Sequence, residues 1–153
     1  MLPLAGEAKP IPIVRPPSPQ SNINGYRVSP DGHWVAYVSD EAGQNEVYVT
    51  TFPEAKGKWK VSANGGAYPA WRANGREVFF NDLTDNINAC DLTPKGTQME
   101  VGTPKRLFHA SMPGIGTSYD VTPDGQRFLV NLAEGEGAAP LKIVSNWPAE
   151  LKK

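Results

Sequence analysis

Catalysis and metal binding need reactive side chains at short, fixed spacings, and few positions in this sequence offer them. His33 and His109 stand alone, with no second histidine or cysteine at metal-ligand spacing, and both are expected on the surface or at an edge. Cys90 is the only cysteine, which rules out an intrachain disulfide and a zinc site built from several thiolates. Between Asn88 and Leu92 it is expected as a small buried side chain. Asp82, Asp85 and Asp91 miss the spacing and central glycine of an EF-hand loop. No serine sits in a Gly-x-Ser-x-Gly elbow, and the Gly-x-Gly fragments at 114–116 and 135–137 lack a strand-to-helix transition. Lys56, Lys58 and Lys60 flank Trp59, a pattern that guards an edge strand against pairing rather than one that binds phosphate. No catalytic residue, cofactor or metal ligand is expected.

What the sequence does carry is a repeat. Ser29-Pro30-Asp31-Gly32 returns as Thr122-Pro123-Asp124-Gly125 and, weakened, as Arg72-Ala73-Asn74-Gly75, at intervals of about 40–50 residues. A short extended segment precedes each: 26–28, 68–71 and 119–121. After each comes a period-two run, with Val35 and Tyr37, Val78 and Phe80, and Phe128 and Val130 at equal offsets from the turn. Asp-Gly and Asn-Gly between such runs predict tight hairpins of type I′, with positive φ at both central residues. Asp31, Asn74 and Asp124 are then turn formers bonding their own backbone, not a ring of cation ligands. A third strand follows at 46–50, 87–92 and 141–145, and a fourth at 58–62 and 104–108. Four antiparallel strands per repeat make a propeller blade.

The expected architecture is therefore all-β: half a β-propeller of three four-stranded blades within one domain, 1–153. Blade one spans 25–63, blade two 66–110 and blade three 117–153. The third copy runs out before its outer strand, whereas Lys9 to Val14 precedes the first blade and reads like 103–108, Ile13-Val14 matching Leu107-Phe108. Residues 1–16 are thus expected to close blade three, beside 141–145 of the same chain or of a partner. Pro12 is tolerable only at such an edge. Trp71, at the repeat position of Val28 and Val121, is expected between blades, and Trp59 half exposed on an outer strand.

Composition agrees. The 15 glycines and 15 prolines among 153 residues fall between apolar runs, as in chains of short strands and turns. Charge is balanced at −1 without a basic patch, which argues against nucleic-acid binding. Neither a signal-type start nor a membrane-length apolar run occurs, so a chain complete as given is expected in the cytoplasm, without membrane contact.

Residues 29–37, Ser-Pro-Asp-Gly-His-Trp-Val-Ala-Tyr, resemble the repeat of TolB-type β-propellers, a WD-like family. The run Glu46-Val47-Tyr48-Val49, Phe52-Pro53, residues 57–62, Gly65-Gly66, residues 119–129 and the ending 146–151 are similar to the C-terminal propeller of bacterial eukaryotic-like serine/threonine protein kinases. No Gly-rich loop, strand lysine, catalytic-loop or metal-binding signature of a kinase is present, so kinase activity does not carry over. The resemblance implies a non-enzymatic interaction module for a protein or peptide. Its expected site is the channel mouth, where Gly25, Tyr26, Tyr68, Ser118, Tyr119 and Asp120 enter the innermost strands. Two alternatives are a fragment of a longer sensor without a ligand of its own and a glycosidase- or lyase-type propeller. The second needs convergent carboxylates, of which the mouth offers only Asp120. Three blades do not close a ring, so outward faces carrying Val35, Tyr37, Phe128 or Val130 are expected to be partly exposed. A homodimer closing a six-bladed propeller would bury them.

Overall fold

The structure, a computed structural model, describes residues 12–14, 23–112, 119–132 and the backbone of 141–145. Its local organiser is the repeated turn. In each copy two backbone bonds clamp a loop of the same size. Gly32 N–H donates to Ser29 O (2.9 Å) and Ser29 N–H to Trp34 O (2.8 Å). Arg72, Gly75 and Glu77 repeat this pair at 2.9 and 3.0 Å, and Thr122, Gly125 and Arg127 at 2.8 and 2.9 Å. Only the glycines hold positive φ (74°, 67° and 70°), so these are not type I′ hairpins. Pro30 and Pro123 instead occupy the second position of a type I turn, whose fourth residue is the left-handed glycine. The polar residues act as turn formers: Asp31, Asn74 and Asp124 accept from the backbone N–H two residues on, at 3.1, 2.9 and 3.0 Å. Ser29 and Thr122 add hydroxyl bonds of 2.5 Å to the same carboxylates. Arg72, which lacks a hydroxyl, spans its loop with an ion pair to Glu77 at 3.1 Å.

These turns join the first two strands of three antiparallel sheets. Sheet one runs β1 (Ile23–Val28), β2 (Trp34–Ser39), β3 (Glu46–Thr51), β4 (Trp59–Lys60), in spatial order of sequence. Sheet two holds β5 (Ala67–Trp71), β6 (Glu77–Asn81), β7 (Asn86–Lys95), β8 (Gln98–Val101) and β9 (Lys105–His109). Sheet three holds β10 (Tyr119–Val121), β11 (Arg127–Asn131) and β12 (Leu141–Ser145).

The third strand of sheet two is longer than the sequence implied. β7 pairs β6 and β9 over its first half, then leaves them and turns back on β8 through Lys95 and Gln98. Pro94 reads as a breaker, but in this two-stranded ribbon one side of the backbone has no ladder to lose. Met99 of β8 returns to the core between sheets one and two.

The apolar side chains meet between sheets. One core sets Trp34, Ala36 and Val38 of sheet one against Val78, Phe80, Cys90 and Leu92 of sheet two. The other sets Phe79, Ile87, Ala89, Leu107 and Phe108 against Tyr119, Phe128 and Val130 of sheet three. Each sheet thus uses both faces, and β2 is buried along its whole length. This corrects the expected exposure of the outward faces. Phe128 and Val130 face sheet two and are fully buried. Val35 and Tyr37, on the outward face of sheet one, are each only 2% exposed. Tyr37 is stacked between Tyr26 and Tyr48, with centroids 6.4 and 5.8 Å away. Pro12, Ile13 and Val14 lie across the same face, lining hollows with Val35 and with Tyr37.

That placement also corrects the closing strand within one chain. Lys9 to Ile11 lie outside the described residues; Pro12–Val14 form no strand and rest on sheet one, not beside β12. Burying Ile13 and Val14 on an apolar face needs no backbone donor from Pro12.

The step from sheet one to sheet two is fixed by a buried carboxylate. Glu46, 1% exposed, accepts from Gln44 Nε2 (2.8 Å), Lys60 Nζ (2.8 Å), the Gly65 N–H (3.1 Å) and Ser62 Oγ. Gly66 then passes so close that an added Cβ would lie 3.0 Å from both Phe80 and Val47. Burial alone would raise the Glu46 carboxyl; the bonds from Lys60, Ser62, Gln44 and Gly65 reverse that and hold it below the usual glutamate range. A carboxyl lowered in the folded state contributes stability that is complete above its unfolded value and lost as pH falls through the folded one. Glu46→Gln should therefore cost on the order of 3 kcal/mol at neutral pH, the scale for removing one member of a buried charged network. It should also flatten the acid limb of stability against pH. Urea unfolding at pH 7 and pH 4 measures both; equal stability of variant and parent at pH 7 would contradict the clamp.

Candidate functional site

The innermost strands β1 and β5 begin with the same irregularity. Pairing with the second strand skips a residue between Asn24 and Arg27, and again between Ala67 and Ala70. The bulged positions are Gly25 (φ 64°) and Tyr68 (φ 51°). A side chain in this left-handed region carries strain of about 1–3 kcal/mol. The Tyr68 ring offsets it by packing against the second core, and its carbonyl accepts the Tyr119 hydroxyl at 2.6 Å. Bulges of this kind aim neighbouring side chains, so the start of each inner strand is a natural place for a site.

The mouth residues that lie among the described residues have unlike surroundings. Tyr68 and Tyr119 meet across the junction of sheets two and three, and the Tyr119 ring is 5% exposed. Burial drives its hydroxyl well above the usual tyrosine range, so it keeps the proton that it donates to Tyr68 O. Tyr26 occupies the repeat position of Tyr119 in sheet one but is 46% exposed, with only a 3.5 Å bond to Ile23 O. Asp120 is exposed and accepts from the Val121 N–H at 2.8 Å. Ser118 lies outside the described residues.

Three hollows lie among the described residues. One, about 460 Å³, is apolar and lined by Pro12, Ile13, Val14, Tyr26, Val28, Val35 and Phe52. Another, about 410 Å³, lies on the outward face of sheet three beside Asp120, Arg127 and Leu129, with Asp120 as its single carboxylate. A third, also about 410 Å³, holds Glu41 and Glu54. Both are spent on lysines, Glu41 on Lys58 and Glu54 on Lys56 (2.6 Å). The bond from Lys56 lowers the Glu54 carboxyl, whereas a general acid needs a raised one.

Other polar groups are engaged as well, whereas the buried Asn81 Oδ1 has no hydrogen-bond partner among the described residues. Lys60 pairs with Glu46 and Lys105 with Asp91 (3.0 Å). Asp82 closes the β6–β7 loop by accepting from Thr84, Asn86 and Asn88 at 2.8–3.2 Å. Although burial acts to raise it, these donors hold its carboxyl far below the usual range. Cys90 is fully buried, and burial followed by Asp91 pushes its thiol up to about 11. Among the described residues, no group of three or more His, Cys, Asp or Glu is placed to hold a metal ion.

Sequence reading missed two features of this surface. Leu83, 62% exposed, leans on the Gly65 backbone beside the start of β5, and no repeat signal marks it. Val28 lines the apolar hollow beside Pro12–Val14, and its equivalence to Trp71 and Val121 is the available signal.

The tyrosine pair gives a direct test. Tyr119→Phe leaves the Tyr68 carbonyl without its buried donor and should cost about 1–2 kcal/mol. Tyr26→Phe should stay within about 0.5 kcal/mol, as exposed substitutions do. Chemical denaturation of both variants checks this; equal losses would mean the two positions are energetically alike.

No family model matches the chain, and no curated protein does. Among solved structures it is similar to TolB from Acinetobacter baumannii, with 18% identity and a TM-score of 0.60 over 87% of this chain. The match takes in 31% of that protein, so the chain spans about a third of its length. At this identity the likeness concerns the backbone alone, and it agrees with the repeated turns and the stacked antiparallel sheets. The fold is that of a TolB-like β-propeller.

Proposed function

We propose that the chain is a non-enzymatic interaction module of three propeller blades that binds a protein or peptide. The site is the rim where the innermost strands begin. One contrast carries the reading. Many polar side chains are consumed by turns, ion pairs and junctions, while Leu83, against Gly65, and Asp120, next to Tyr119, are exposed. An exposed leucine and an exposed carboxylate on neighbouring sheets suit an extended peptide that carries one apolar and one basic side chain.

A second reading, part of a longer sensor protein, is favoured by the 31% share of the solved TolB chain that is matched. The resemblance to kinase-attached propellers belongs to this reading.

Selection of displayed peptides on the immobilised chain tests the first reading. The selected peptides should carry the apolar-basic signature. Their affinity should fall about tenfold or more in Leu83→Ser and in Asp120→Ala, the effect of losing roughly 1.4 kcal/mol of contact. Peptides that bind both variants as tightly as the parent would contradict a site at this rim.

A further inference from the structure

The three sheets offer equivalent positions in unequal surroundings, and the differences mark the outward face of sheet one as a junction with one side absent. Trp71 and Val121 pack against the preceding sheet, and the Trp71 indole donates to Arg27 O at 2.9 Å. Val28, at the same position, is 49% exposed. Tyr119 is buried against sheet two, whereas Tyr26 is open. A Cβ on Gly125 would meet Arg72 and Phe79 at 3.0 Å, and one on Gly75 would meet Pro30 at 3.9 Å; one on Gly32 meets nothing within 4 Å. Each time, sheet one has the residue but lacks the neighbour among the described residues.

One piece of that neighbour is in place. In the second junction the outer strand β9 contributes Leu107 and Phe108 to the core. Ile13 and Val14, which align with them in sequence, lie on the outward face of sheet one beside Val28, Val35 and Phe52. They occupy the place of the outer strand of a sheet preceding sheet one. Sheet three shows the reverse deficit. Its order β10-β11-β12 leaves the outer edge of β12 without a partner strand among the described residues. Its outward face presents Arg127, Leu129 and Asn131 where sheet two presents Glu77, Phe79 and Asn81. Phe79 is buried against Phe128 in a core that Val121 flanks, while Leu129 is 43% exposed.

We propose that sheet three of a second copy docks on the outward face of sheet one, and that Pro12–Val14 supplies the outer strand of that docked sheet. Leu129 of the second copy enters the apolar hollow between Pro12–Val14 and Val28, as Phe79 lies near Val121. The edge of β12 pairs with the segment already resting there. Two chains satisfy both deficits reciprocally, the closed arrangement that two-fold symmetry provides. A blade of a longer polypeptide is the competing occupant. The inference rests on the propeller reading of the three sheets and not on the peptide site, so each fails on a separate measurement.

Sedimentation equilibrium of the full chain tests it. The parent should run at twice its 16.6 kDa mass. Val28→Glu and Leu129→Lys, both at exposed positions, should each unfold cooperatively by circular dichroism yet sediment as monomers. Mixing the two should restore a dimer, because one junction then pairs Glu with Lys and the other is unaltered. Ile13→Asp should weaken the parent dimer at least tenfold. A parent that stays at 16.6 kDa at its highest soluble concentration overturns the proposal, as does a dimer that survives either single substitution. A mixture that remains monomeric overturns the pairing of these two faces.

Discussion

The contact on which everything else depends is the packing of one sheet's apolar face on the next. At the second junction Phe79 meets Phe128 edge-on, with ring centroids 5.1 Å apart and planes at 90°, and Phe108 closes on Phe128 from the side. Each fully buried phenylalanine there contributes about 1.5–3 kcal/mol. A sheet in this protein is a single layer with apolar residues on both faces. Alone, it would leave Trp34, Val38, Phe79 or Phe80 in water. No sheet holds a core of its own, so local strand preference becomes a stable fold only through its neighbours.

The remaining structure serves that contact by setting where successive sheets lie. Glu46 and Gly66 hold the step from sheet one to sheet two, and the Trp71 indole ties the two inner strands together. At one edge the turns themselves touch: Ala73 N–H donates to Pro123 O at 2.9 Å, linking the loop of sheet two to that of sheet three. Many of the polar side chains among the described residues are spent in this way.

The same dependence explains what the sequence reveals and what it conceals. The turns were legible because their chemistry is local: Pro30, Asp31 and Gly32 determine each other's conformation within four residues. Even so, the turn type was misread, since Asp-Gly alone does not reveal that the loop opens at Ser29. Val78, Phe80, Phe128 and Val130 were recognisable as one face by their offset, but which sheet they meet is a property of the junction. Tyr26 and Tyr119 are the sharpest case. They have the same side chain at the same repeat position, and they differ in exposure because Tyr119 packs on a preceding sheet and Tyr26 has none before it among the described residues. The ribbon of β7 and β8 stayed hidden because Pro94 carries the signature of a break and sits where a break costs nothing. Of the expected site residues, Tyr119 lies buried at a junction; Leu83, which the repeat does not point to, belongs to a loop whose sequence repeats nowhere else.

Native-state hydrogen exchange in increasing sub-denaturing urea tests the claim that the sheets stand only by leaning on one another. If junction packing governs stability, amides at the centres of β2, β6 and β11 should converge on one opening free energy and one urea dependence, those of global unfolding. The contrary result is a protected β6 surviving while β2 or β11 opens separately at much lower free energy. That would show that a sheet can be lost without its neighbour, and the account would fail.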